Sequence, residues 1–220
     1  MTTLEIDRAR ITLTAVRQII AGPVEIELPK DAWLTAERSR ANIQDALSAD
    51  VVAYGINTGF GKLAKTRVDV DQLSELQQNL VRSHAAGVGS PLKPGVVRLV
   101  LGLKIVSLAQ GYSGVRPELI DRLIVMSAND MIPVIPEKGS VGASGDLAPL
   151  AHLALTLMGE GQVFFQGEIV PTAQALNTIE LKPLKLGAKE GLALLNGTQV
   201  STALALDAVL TAERNLANAI

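Results

Sequence analysis

The sequence predicts a mainly α fold with small β elements. Three observations carry that prediction. Apolar or small residues recur at helical spacing through Asp31–Ala49 and Asp71–Ala86, with Leu73, Leu76 and Leu80 on one face. Prolines and glycines punctuate the remainder as helix starts and stops. Only short pieces (Thr3–Ile6, Val24–Leu28 and Gln162–Val170) read as strand.

Taken in order, a short helix near Leu13–Ile20 separates the first two strand-like pieces. Asp31 is positioned to cap the next helix. Ala53–Gly61 (AYGINTGFG) is a glycine-rich loop ahead of the Asp71–Ala86 helix. Pro94 opens a helix to about Gln110, and Gly111 and Gly114 end it. Pro117 starts another, to about Asn129. Pro133 and Pro136 enforce an extended loop. A helix is expected from Ser144 to Met158, stopped by Gly159 and Gly161, and then a hairpin turning at Gln166-Gly167. Leu192–Leu195 leads into Asn196-Gly197-Thr198-Gln199 and a long helix to Ile220. That helix is still periodic at the last residue, which suggests the N-terminal part of a longer protein.

Composition narrows the function classes. The chain has 220 residues, 48% of them hydrophobic and 19% charged, enough for a sizeable buried core. A net charge of −2, scattered basic residues and few aromatics argue against a nucleic-acid partner. There is no cysteine, and His84 and His152 are the only histidines, so disulfides and a thiolate or His-rich metal site are not expected. No apolar run reaches membrane-spanning length, and no basic-plus-apolar leader pattern is present. The expectation is a soluble cytoplasmic protein without membrane contact.

The segment richest in chemistry is Gly139–Asp146 (GSVGASGD). If its backbone folds sharply, the Gly145 nitrogen can attack the Ala143 carbonyl carbon and close a five-membered ring. Loss of two waters then leaves Ser144 as an exocyclic methylidene, an electrophile made without a bound cofactor. Only glycine offers an unhindered nitrogen and tolerates the angles required. The competing reading is a structural turn. A phosphate cradle fits poorly, because no lysine follows Gly145 and the glycine spacing is not G-x-G-x-x-G. A hydrolase elbow needs G-x-S-x-G, which is absent here.

Gly139–Leu150 (GSVGASGDLAPL) resembles the signature of the aromatic amino acid ammonia-lyase family. Tyr54–Gly61 (YGINTGFG), Lys104–Arg116 (KIVSLAQGYSGVR) and Lys189–Gln199 (KEGLALLNGTQ) resemble it too, in the family's order. The resemblance spans nearly all of the chain from Val51 onward. Within the family, Arg82–Gly87 (RSHAAG) resembles the histidine ammonia-lyases. It implies an N-terminal domain over residues 1–195 and the start of a long central helical bundle over 196–220. The activity implied is removal of ammonia from L-histidine to give trans-urocanate, in histidine degradation. The implied prosthetic group is 4-methylidene-imidazol-5-one (MIO), made from Ala143-Ser144-Gly145, with no metal and no dissociable cofactor. Either the substrate amine or its imidazole attacks that group. A related lyase or aminomutase acting on phenylalanine or tyrosine, and a non-catalytic assembly fragment, remain alternatives.

The resemblance also assigns roles. Tyr54 matches the catalytic base; a free phenol has a pKa of about 10, so ionising it at pH 7 costs roughly 4 kcal/mol, which backbone donors at Gly55 and Gly59 would have to reduce. The plain reading of Tyr54 is an ordinary loop tyrosine. His84 is implied to face the substrate's imidazole, one ring donating while the other accepts; otherwise it is a helix-end histidine. Asn196 is implied to lie near the MIO and the substrate's amino acid end, and it also suits a cap of the last helix. Asp146 is expected to assist ring formation, and Gly142 to keep the tight turn free of a side chain. His152 reads as a structural core histidine. The family's carboxylate-binding arginine and its later aromatic, amide and glutamate groups fall beyond these residues. Its sites are built from several subunits of a homotetramer, so little or no activity is expected of the 220-residue chain alone.

Overall fold

The computed structural model describes residues 2–7, 10–49, 52–59, 67–143 and 145–220. Strand β1 (Thr2–Glu5) lies parallel to β2 (Val24–Glu27), with Thr2 opposite Val24 and Glu5 opposite Glu27. Parallel strands need a crossover, and helix α1 (Leu13–Ala21) supplies it. Thr12 caps that helix, its Oγ1 accepting from the Ala15 N–H at 3.2 Å. Val24 and Ile26 turn inward and Glu25 and Glu27 outward, as strand alternation dictates.

Helix α2 (Lys30–Ser48) corrects one expectation. Its cap position is Pro29, already extended at φ −65° and ψ 152°, so Asp31 falls in the first turn. An acid there still complements the helix dipole. Helix α3 (Leu73–His84) follows a single 3-10 turn, Val70–Gln72. Helices α4 (Pro94–Ala109) and α5 (Pro117–Ala128) both begin on the predicted prolines. α4 is the centre of the core, packed by α1, α5 and α9 (Gln199–Ala219), with buried residues on every face. A helix apolar all round belongs in an interior.

The predicted extended loop at Pro133 and Pro136 is two strands. β4 (Ile132–Pro133) joins β6 (Gln162–Phe165) and β7 (Glu168–Pro171) in a sheet of order β4-β6-β7, and β5 (Pro136–Lys138) pairs antiparallel with β3 (Val88–Pro91). The β6–β7 hairpin turns at Gln166 (φ 53°) and Gly167 (φ 89°), two successive positive φ values that match the twist of the flanking strands.

Helix α6 spans Leu147–Leu157, three residues later than the expected start at Ser144. Helix α7 (Thr172–Thr178) was not foreseen. α8 (Glu190–Leu195) is a short helix entered through Lys189 in the left-handed region at φ 69°. α9 buries Val200, Ala203 and Leu210, while Leu204, Val209 and Leu216 are exposed. Among the described residues no helix is long and apolar enough to cross a membrane.

Candidate active site

The site residues are carried by the loop before α6, the end of α3, the turn at Tyr54 and the α8–α9 junction. The loop before α6 is held from below. Asp146 is fully buried, and its carboxylate does not cap α6. It reaches back instead, accepting from Ser140 Oγ at 2.8 Å and from the Val141 N–H at 3.2 Å. That draws the chain into a tight reversal and delays the helix to Leu147. The Leu147 N–H donates to the Gly145 carbonyl at 2.8 Å, closing the turn at its far side. Ala143 is exposed and Gly145 partly buried; Ser144 lies outside the described residues.

The reason for glycine at 142 differs from the one expected. A Cβ there would meet nothing within 4 Å, so space is not the constraint. The constraint is φ of +65°, in the left-handed region that an L side chain enters only at a cost of about 1–2 kcal/mol.

Asn196 ends α8 and lies against the loop. A Cβ on Gly145 would stand 3.1 Å from Asn196 Oδ1. Gly197, next to it, forms an isolated parallel bridge with Gly145, and its carbonyl accepts from the Asp146 N–H at 3.4 Å. Asn196 does not cap α9, whose cap position is Thr198. Its side-chain oxygen is the atom that faces the loop.

His84 is the last residue of α3. Its Nδ1 lies 2.8 Å from the Leu80 carbonyl, which can only accept, so Nδ1 carries the hydrogen. In the neutral ring Nε2 is then an acceptor. The segment after His84 packs against the reactive loop. A Cβ on Gly139 would stand 3.1 Å from Gly87 Cα, and the Gly87 N–H donates to His152 Nε2 at 3.1 Å. His152 is thus a half-buried histidine of α6 that fastens the His84 segment to the helix behind the loop. Burial lowers its pKa, in keeping with a neutral ring that accepts.

Tyr54 is 60% exposed. Two donors of its turn are occupied within the turn: Gly55 N–H donates to Thr58 Oγ1 at 3.3 Å, and Ala53 N–H to Asn57 Oδ1 at 2.8 Å. The expected donor-rich backbone around the phenol is therefore not supplied by Gly55. Phe60 and Gly61 of the same motif lie outside the described residues.

Sequence reasoning missed two residues that tie these parts together. Gln77, fully buried on α3, accepts from the Leu192 N–H at 3.1 Å and turns its amide to the Gly55 carbonyl at 3.5 Å. It links the Tyr54 turn to α8. Lys104, buried in α4, donates to the carbonyls of Ala193 and Asn196. A polar residue within an apolar helical stripe was the available signal for both. Two of the motif blocks are also joined by an ion pair. Arg116 grips Glu190 with Nε and Nη2, each at 2.9 Å, and the Gly187 N–H adds a 2.6 Å bond. Burial pushes the Glu190 carboxyl up, but Arg116 and the Gly187 amide outweigh it, and the net pKa is lowered.

A helical core with Asn196 against Gly145, and Asp146 holding the segment that leads to it, defines the class. Residues 11–220 match the family described as aromatic amino acid lyase, and the chain belongs to that family. It is 54% identical over 213 residues to a histidine ammonia-lyase of Paracidovorax citrulli, covering 97% of this chain and 42% of that one. It is 52% identical to a histidine ammonia-lyase of Photorhabdus laumondii, covering 100% and 43%. The crystal structure of histidine ammonia-lyase from Trypanosoma cruzi superposes with a TM-score of 0.86 at 36% identity, covering 96% of this chain and 40% of that one. Tyrosine aminomutase from Streptomyces globisporus gives 0.85 at 38% identity, covering 92% and 38%. The chain spans about two-fifths of the length of these curated relatives.

Proposed function

We propose that these residues form the electrophile-bearing part of a histidine ammonia-lyase, which removes ammonia from L-histidine to give trans-urocanate. The observation that carries the reading is Asn196 Oδ1 set against Gly145, above a loop that buried Asp146 holds bent. The residues fit an MIO group made from Ala143, Ser144 and Gly145. The preceding segment is clamped, Gly142 reverses the chain at positive φ, and open space lies beside it. Such a group supplies an electrophilic methylidene that withdraws electrons from the substrate.

The chain's own residues take the remaining tasks. Asn196 offers an amide to the ring segment or to the substrate's carboxylate. His84, with Nδ1 engaged by Leu80, presents Nε2 to the N–H of a substrate imidazole, which a phenyl or phenol ring lacks. Tyr54 is assigned removal of the β-proton, a step for which a placed base is worth roughly 10²–10⁴-fold. Assembly with further copies is part of the proposal; the exposed Leu204, Val209 and Leu216 of α9 support it.

Substrate profiling tests the reading in protein extended to the relatives' length. Histidine is expected to be deaminated in preference to phenylalanine and tyrosine, and His84→Leu to lose that preference. An unchanged preference in His84→Leu would remove His84 from substrate selection. Predominant action on tyrosine would favour the aminomutase-like alternative.

A further inference from the structure

Lys104 sits in the middle of α4 with 1% of its surface exposed, among Leu101, Ile105 and Leu108. Burying an ammonium is unfavourable, and a methionine of similar length would pack there without that penalty. Its partners are main-chain carbonyls, Asn196 O at 3.0 Å and Ala193 O at 3.3 Å. These belong to the last turn of α8 and the residue that ends it, where carbonyls lack helical partners. The residue whose carbonyl Lys104 holds is the one whose side chain faces Gly145. The next residue, Gly197, accepts the Asp146 N–H. A continuous path therefore runs from Lys104 through Asn196 and Gly197 to both ends of the Gly145–Asp146 peptide.

We propose that Lys104 is a positioning residue: it fixes the Asn196–Gly197 backbone from inside the core and so sets the Asn196 amide against the reactive loop. The inference rests on the reading of Gly145 and Asn196 as site residues. Burial lowers the lysine's pKa to about 7. The positioning survives either charge state, since a neutral amine still has two N–H groups for the two carbonyls.

Amide hydrogen exchange of the 220-residue chain tests this. Lys104→Met is expected to speed exchange at Asn196 and Asp146 by roughly tenfold, while amides of α4 and α5, such as Leu101 and Leu123, stay within about twofold of wild type. Lys104→Gln, which keeps an N–H donor, is expected to recover slow exchange at both positions. A uniform acceleration, no acceleration, or equal acceleration in the Met and Gln variants would overturn the proposal. Failure of both variants to fold would also overturn it, by making Lys104 a residue of general core stability. Exchange is read whether or not Ala143–Gly145 cyclises. Intact mass of the wild type, which reports cyclisation alone, keeps a failure of the lyase reading separate.

Discussion

Asp146 stands at the start of a helix but serves the loop before it. At the cap position of a helix an aspartate usually accepts from the first-turn amides. Here its carboxylate turns away from α6 and holds Ser140 and Val141. Asp146→Ala removes the acceptor of that hydroxyl and amide, which sit on exposed residues, at a cost of about 0.5–1.5 kcal/mol for each bond. Loss of two waters from the loop is expected to fall sharply in that variant, read by intact mass. Gly142→Ala meets no neighbour yet carries the left-handed φ, so thermal denaturation is expected to show about 1–2 kcal/mol of destabilisation. Tyr54→Phe is expected to keep the two-water deficit of the wild type and to lower turnover by about 100-fold or more, measured in protein of the relatives' full length.

At the scale of elements, the contacts between motif blocks decide stability. The Arg116–Glu190 pair joins the start of α5 to the start of α8. The lowered Glu190 pKa stabilises the fold above the carboxylate's unfolded value, and that stability is lost as pH falls through the folded value. Glu190→Ala leaves Arg116 with Glu118 and the Lys185 carbonyl but takes the acceptor from the Gly187 N–H; it is expected to cost about 1–3 kcal/mol and to flatten the acid limb of the stability profile. His152 works in the same direction nearer neutrality. Its lowered pKa means stability is full above about 6.5 and declines as pH falls below it, because the unfolded chain's imidazole takes a proton that the buried ring, accepting from Gly87, resists until the pH falls through its own lower value. Thermal melts between pH 8 and pH 5 are expected to show this decline in wild type and to lose it in His152→Leu.

Elements marked by proline starts, such as α4 and α5, the former with a glycine stop, were readable from the sequence because their signals are local. β3 and β5 were not. Val88-Gly89-Ser90-Pro91 has no alternation to read, and its partner lies beyond two helices in the chain. The delayed start of α6 depended on Asp146 reaching back to Ser140, a choice no periodicity records. For the site, Asn196, Asp146 and His84 were legible as residue types within motifs. The supports behind them, Gln77 and Lys104, were not, because their partners are main-chain groups that only the fold brings near.

For the molecule as a whole, α4 ties the site to the core. It packs against α1, α5 and α9, and through Lys104 it reaches the asparagine that faces the loop. The outer side of α9 exposes Leu204, Val209 and Leu216, apolar surface that further chain or further copies are suited to cover. Because the chain spans about two-fifths of its relatives' length, the 220 residues alone are expected to yield little or no urocanate, followed directly by its formation from L-histidine. Mass mapping of residues 139–152 in protein that deaminates L-histidine is the most direct check on the central claim. A deficit of two waters confined to Ala143-Ser144-Gly145 is the expected result. An intact Ser144 hydroxyl in protein that still deaminates histidine would contradict it.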